Sequence, residues 1–334
     1  MPRRVIVLIA ILALILSISG CGLLKRDRGE EAVPPAGEET AEKAQAGMRK
    51  TVFYFANEHD LLVPVTREIP WVEGIGKAAL ECLVNTPELA AQLRDKGLKP
   101  PLPEGTKVLG MTIKDGLAKV DFSPEFLNSR DKTAEQNAIN SVVYTLTEFP
   151  SVEKVQILID GKPLKKCPRG TAIADVLYRE KINLEPAGAA VKDAMPVTLY
   201  FKGSSADGAY GYFVPVTRMV KKSGNPIQTA LEELIKGPAE NMGLTGLLPK
   251  DTKVLEVSQN GAEVNVNFSK EIEGYGGGQE VEQDLVNSIV LTVSQFPGVE
   301  KVSLKVEGSA GVLPEGTVLD NPILKPLYVN PESL

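Results

Sequence analysis

Few residues in this 334-residue chain are of a type and spacing that could do chemistry. The single histidine, His59, sits in Asn57-Glu58-His59-Asp60. A metal site needs further ligands at a recognised spacing, and none accompanies it, so His59 reads as a solvated loop residue. Beyond Cys21 the chain has two cysteines, Cys82 and Cys167. They are the pair open to a disulfide in an oxidising compartment, with two free thiols as the alternative. Gly274-Tyr275-Gly276-Gly277-Gly278 resembles a phosphate cradle, but no lysine follows it, so it reads as a loop before a helix. No nucleophile elbow, phosphate loop or serine triad signature occurs. The expectation is a chain without catalytic residues, metal or cofactor.

Cys21 carries a different chemistry. Arg3 and Arg4 open the chain, Val5 to Leu16 is an unbroken apolar run, and Ile18-Ser19-Gly20 leads into Cys21. A basic start, a short apolar stretch and small residues before the cut mark a secretory leader. The run is shorter than the ~20 residues a spanning helix needs. Ile18-Ser19-Gly20-Cys21 resembles a bacterial lipobox, which implies a diacylglycerol thioether on Cys21 and stable anchoring by two acyl chains. An uncleaved anchor helix is the other reading, and both place the folded part outside the cytoplasm. Residues 22 to 50, rich in Glu, Lys, Ala, Gly and Pro, read as a flexible tether.

Charge narrows the partners. Lys+Arg number 37 against 43 Asp+Glu, and the leader holds two of the positive charges. An acidic body without a basic stripe argues against nucleic acid.

The elements that would position any site come from a repeat. Val63-Pro-Val-Thr-Arg67 recurs as Val214–Arg218, and Thr51–Phe55 matches Thr198–Phe201. Leu102–Leu109 matches Leu248–Leu255, and Val120–Ser123 matches Val266–Ser269. The longest match pairs Glu135–Val155 with Glu282–Val302. The offset drifts where copy one has extra residues at 86–97 and copy two at 202–212, as loop insertions in a duplicated fold would give. Within the repeat Asp121 becomes Asn267 and Glu148 becomes Gln295. Groups doing acid–base work in both copies would keep their proton-carrying atoms.

Each copy reads β-β-α-β-β-α-β. The second strand contains Pro64 or Pro215, which points to a sheet edge or a bulge. Hairpin turns are expected at Asp115-Gly116 and Asn260-Gly261. The first helix, 76–84, is repeated with Ala230, Leu231, Leu234 and Ile235 and stops at Gly237-Pro238. The second, 133–149, opens on a capping box of Thr133 with Gln136 and stops at Pro150. One apolar stripe per helix calls for a sheet face to cover. The fold class predicted is therefore α+β, two tandem units, each a mixed sheet with two helices on one face. The domains are 1–20 leader, 21–50 tether, 51–185 first unit, 186–196 linker and 197–330 second unit.

The run of YF, VPVTR, LPxxTxVL, VDFS and SVxxTLTEFP resembles the GerMN domain, in tandem, over residues 51–310. That resemblance implies a lipoprotein between the two membranes around a developing spore. It also implies support for a ring-forming envelope channel, through domains similar to the ring-building motifs of secretion-type assemblies.

Two residue pairs are candidate protein contacts. Arg67 and Arg218 would mark a surface where like domains stack, and Asn140 and Asn287, beside Ser141 and Ser288, would join them. Hydrogen bonding to a neighbouring loop is the alternative for the helix residues. The edge strands themselves are expected to dock partners, with proline limiting runaway pairing. The leading function is a lipid-anchored, non-enzymatic envelope scaffold. A peptidoglycan-binding module assisting a wall hydrolase is the alternative. A solute-binding lipoprotein is a third class, disfavoured by the simple tandem arrangement with one linker.

Overall fold

A computed structural model describes residues 47–186 and 193–332. The lipobox, Cys21 and the tether up to residue 46 lie outside the described residues, as does the middle of the 186–196 linker. No described helix is long and apolar enough to cross a membrane.

Copy one begins with β1 (Met48–Asn57) and β2 (Leu62–Pro70), an antiparallel pair. Helix α1 (Ile75–Glu81) follows, then α2 (Pro87–Arg94), the two-residue β3 (Leu98–Lys99), the hairpin β4 (Val108–Lys114) and β5 (Leu117–Phe122), and α3 (Lys132–Leu146). β6 (Lys154–Ile159), β7 (Lys162–Pro163) and β8 (Leu177–Tyr178) complete it. Copy two runs β9 (Ala194–Ser204), β10 (Gly211–Lys221), α4 (Pro226–Lys236), β11 (Val254–Asn260), β12 (Glu263–Phe268), α5 (Gly278–Val293), β13 (Lys301–Val306) and β14 (Ile323–Leu324).

The α+β class and the mixed sheet are as the repeat predicts. β4 pairs β5 antiparallel, β5 pairs β6 parallel across the α3 crossover, and β11, β12 and β13 repeat the pattern. The first strand pair of each copy stays out of that sheet. β2-β1-β3 and β10-β9 are separate ladders. The reason is local: β3 pairs only with the end of β1, at Ala56 and Asn57, and helix α3 seals the second edge of β1 at Tyr54. Tyr54 N–H donates to Thr145 Oγ1 at 3.3 Å and Ser141 Oγ donates to Tyr54 O at 2.7 Å. Tyr200 N–H donates to Thr292 Oγ1 at 3.0 Å and Ser288 Oγ donates to Tyr200 O at 2.7 Å in copy two. Hydroxyls four residues apart on one helix face thus satisfy backbone groups that a further strand would otherwise claim.

Three local expectations are corrected. The capping residue of α3 is Asp131, whose carboxylate accepts from Ala134 N–H at 2.8 Å; Thr133 already lies inside the helix. The 86–97 insertion contains α2, started by Thr86, whose side chain accepts from Leu89 N–H, with Pro87 in the first turn. Pro87 fixes a helical φ where no N–H is needed, so Thr-Pro was a start signal rather than a loop signal. The second hairpin turns on Gly261-Ala262, not Asn260-Gly261, since Asn260 pairs with Glu263. Only Gly261 has positive φ there, whereas Asp115 and Gly116 both do. The two copies therefore use different primed turns, II′ and I′.

Phe53, Phe55, Leu80, Leu83, Phe122, Val142 and Leu146 of copy one belong to one buried cluster with Phe201, Leu231, Leu234, Phe268, Ile289 and Val293 of copy two.

Candidate functional site: a reciprocal clasp on the two VPVTR strands

Tyr54 faces Pro64 across the β1–β2 ladder, and Tyr200 faces Pro215. The Tyr54 N–H and C=O point away from β2 to the helix hydroxyls, so this is a pair that exchanges no ladder bond. Proline at that register removes no hydrogen bond from the sheet. Its carbonyl points outward at the strand edge, and the chain uses it.

Asn330 Nδ2 donates to Pro64 O at 2.7 Å and to Phe213 O at 2.8 Å, and its Oδ1 accepts from Phe213 N–H at 2.7 Å. Asn183 does the mirror task. Its Nδ2 donates to Pro215 O and Leu62 O, both at 2.8 Å, and its Oδ1 accepts from Leu62 N–H at 2.8 Å. Each amide thus bridges β2 to β10, grasping one strand twice and the proline carbonyl of the other once. Both asparagines have left-handed backbones, φ 46° and 47°, a conformation Asn tolerates better than most residues.

The flanking backbone extends the clasp. Thr66 N–H donates to Asn330 O at 3.1 Å and Glu332 N–H to Thr66 O at 2.9 Å. Thr217 N–H donates to Ile182 O and Glu185 N–H to Thr217 O, both at 2.9 Å. The tail of copy two therefore covers the β2 edge of copy one, and the tail of copy one covers the β10 edge of copy two. The proline-bearing strands are edges of their ladders, as predicted, but they are not open for docking, because the chain's own tails occupy them.

Arg67 and Arg218 close the clasp electrostatically. Arg67 Nε pairs with Glu332 at 2.8 Å and its Nη2 donates to Gln92 Oε1 at 2.8 Å. Arg218 pairs with both oxygens of Glu185, at 2.6 and 2.8 Å, and with Glu233 at 3.1 Å, and donates to Gly237 O at 2.7 Å. Burial opposes the Arg218 charge, but Glu185 and Glu233 outweigh it and raise its pKa. Each guanidinium also lies over a core phenylalanine, Phe55 or Phe201. Asn140 and Asn287 are half-buried and apart from this network; Asn287 accepts from Gln283 at 3.3 Å, while it is Ser141 and Ser288 that bond the strands.

The two insertions meet here. Lys96 Nζ reaches Glu332 at 2.5 Å and stacks 5.4 Å from the Tyr210 ring. A methyl group on Gly97 would fall 3.0 Å from Ser205 Cα. His59, on an exposed turn, lays its ring against Gly243 of copy two, where a methyl group would meet Nε2 at 2.0 Å. A groove of about 600 Å³ lies beside the clasp, walled by Phe53, Ile69, Val84 and Leu89.

Copy one's tail has a second fastening. Arg179 pairs with Glu148 at 2.6 Å and donates to Tyr54 OH at 2.5 Å, Tyr54 OH donates to Glu148 at 2.7 Å, and Tyr144 OH donates to Glu180 O. Burial pushes the Tyr144 phenol up to about 12, with the Arg179 charge working against it. These are phenols held protonated, suited to donating hydrogen bonds and not to taking protons.

The exchanges between copies now have a structural meaning. Asp121 Oδ1 accepts from Gly161 N–H at 2.9 Å, and Asn267 Oδ1 from Gly308 N–H at 2.8 Å. Both side chains serve as acceptors for a turn, so the charge is dispensable. Glu135 and Glu282, identical in the two copies, are buried carboxylates that bind a loop. Glu135 accepts from Arg169 N–H and Thr171 N–H at 2.7 and 3.1 Å. Glu282 accepts from Glu315 N–H and Thr317 N–H, both at 2.7 Å, and from Tyr275 OH of the glycine-rich loop. Cys82 is half-buried and Cys167 buried, and both are free thiols. Burial, then the Glu135 charge, pushes Cys167 up to about 11, which makes it unreactive. Among the described residues no group of His, Cys, Asp and Glu could hold a metal.

The clasp residues Asn183, Glu185, Asn330 and Glu332 were missed in the sequence. Their signal was there: Ile182-Asn183-Leu184-Glu185 and Val329-Asn330-Pro331-Glu332 stand at the same offset as the Glu135–Val155 and Glu282–Val302 match. It is a weak signal, since only Asn and Glu recur and neither lies in a periodic apolar segment.

Comparison with known proteins agrees with this architecture. The Germane family model, described as "Sporulation and spore germination", matches residues 52–165 and again 198–312. The chain is 32% identical over 351 residues to "Spore germination protein GerM" of Bacillus subtilis (strain 168), covering 94% of each. A solved structure, "Tandem GerMN domains of the sporulation protein GerM from Bacillus subtilis", superposes with a TM-score of 0.73 at 35% identity, covering 84% of this chain and 99% of that one. With a duplicated unit in the sequence, two such units in the fold and the family model matching each, the chain belongs to the Germane family, as a tandem GerMN-domain protein.

Proposed function

We propose that the chain is a non-enzymatic scaffold of the bacterial envelope, anchored by lipid on Cys21, that supports a sporulation or germination complex through protein–protein contacts. The relatives' names supply the setting of sporulation and germination. One observation carries the contact surface. With the β2 and β10 edges occupied by the chain's own tails, β4 and β11 are the equivalent edges left without a strand partner among the described residues. Each carries a register shift in the same place, between Val108 and Gly110 and between Val254 and Glu256. The extra residue is a leucine both times, Leu109 at 49% and Leu255 at 47% exposure. Bulges keep an edge from pairing indiscriminately while re-aiming a side chain outward, and an exposed leucine at each is an apolar handle for a partner protein.

The test is the double substitution Leu109→Ser and Leu255→Ser. Crosslinked recovery of envelope proteins from sporulating cells, with the anchor intact, is expected to fall at least several-fold, while the purified variant melts like the parent. Undiminished recovery overturns the assignment of these edges, and sedimentation of the parent with purified peptidoglycan would favour a wall-binding role instead.

A further inference from the structure

The chain contains a single tryptophan, Trp71, and it is 59% exposed. It stands where the chain enters the described fold: Trp71 N–H donates to Gly47 O at 2.6 Å. Met48 and Val72 beside it are 38% and 41% exposed. Arg49 lies over the Trp71 ring at 5.3 Å and over Phe149 at 5.4 Å. An exposed indole flanked by aliphatic side chains and a cation is the composition favoured at a lipid–water interface.

The repeat provides an internal control. Lys222 N–H donates to Asp193 O at 3.0 Å, the same contact that Trp71 makes with Gly47. The structurally equivalent position in copy two is therefore a lysine, preceded by Lys221. The fold has no need of an aromatic residue there. Only the copy that follows the anchor segment carries one. Gly47 is also the described residue covalently nearest to Cys21, and the intervening chain can extend no further than ~90 Å.

We propose that Trp71, with Met48, Val72 and Arg49, is a bilayer-contact patch that orients copy one on the membrane surface. It rests on the anchoring reading above. The anchor supplies attachment, and the patch, too small to hold the chain alone, supplies orientation once the anchor raises the local lipid concentration. Such an orientation would leave copy two standing away from the bilayer.

The experiment uses the acylated full chain in vesicles of mixed zwitterionic and anionic phospholipid, with bromolipids as quenchers of its one tryptophan. Flotation with the vesicles reads the anchor, and quenching with a blue shift reads the patch. The expected result is that the chain floats and Trp71 is quenched. Val72→Asp with Met48→Asp is expected to float equally and lose the quenching. The double variant Trp71→Lys with Lys222→Trp, which moves the fluorophore to the equivalent site of copy two, is expected to float without quenching. A chain that floats with Trp71 unquenched, or with both tryptophan positions quenched alike, overturns the patch and leaves the anchor standing. A chain that does not float overturns the anchor and the patch with it.

Discussion

Glu282 is fully buried, and its two oxygens are met by two backbone N–H groups and a phenol. Burial alone would raise its pKa, but the hydrogen bonds from Thr317, Tyr275 and Glu315 outweigh that and hold it below the usual glutamate range. A group whose folded pKa is depressed stabilises the fold above its unfolded pKa, about 4.3, and loses that contribution as pH falls through the folded value. Glu282→Gln replaces an acceptor by an amide whose NH2 opposes an N–H donor. It is expected to cost roughly 1–3 kcal/mol near neutral pH. The difference from the parent should shrink in urea melts below pH 4; a constant difference across pH would refute the charge-based account. The same reasoning applies to Glu135 in copy one, whose pKa is also lowered by Thr171 and Arg169 against its burial.

At the scale of elements, the middle of each first strand's second edge, at Tyr54 and Tyr200, is finished by a helix rather than by a strand. Ser288 and Thr292 lie four residues apart on α5, are buried, and bond Tyr200 O and Tyr200 N–H. Ser288→Ala leaves a buried carbonyl without this donor and is expected to lower stability by about 1–2 kcal/mol. Amide exchange at Tyr200 should quicken in Thr292→Val, since its acceptor is removed while shape is kept. Unchanged exchange there would mean another group protects the amide. This arrangement was half legible in the sequence. The Asn-Ser pairs and the following Thr were identical in both copies, and the stripe placed the helix correctly, but the serine partner is a strand some 90 residues away, a separation no local pattern encodes.

At the scale of the molecule, two equivalent amides join the copies about a pseudo-twofold arrangement of β2 and β10. Asn330→Ala removes three hydrogen bonds and strains a left-handed backbone, while Asn330→Gly removes the same bonds without the strain. The glycine variant is expected to lose about 2–4 kcal/mol and the alanine variant about 1 kcal/mol more. Limited proteolysis should then cleave after the loosened tail of copy two before either core is attacked. Equal resistance to protease in parent and variants would show that the clasp does not set the association of the copies.

The duplication, the repeated β-β-α-β-β-α-β framework and the edge position of the proline strands follow from the sequence, because each is written in local periodicity, turn residues or repetition. Helix α2 was obscured because its start signal, Thr86-Pro87, sat inside what looked like an insertion, and the α3 cap because Asp131 and Thr133 both suit that role. What only the tertiary structure decided is where the proline carbonyls go. A strand's register tells which of its backbone groups point outward, yet what meets them depends on chain segments 32 and 266 residues distant, Asn183 and Asn330, brought to opposite copies by the packing of two complete domains.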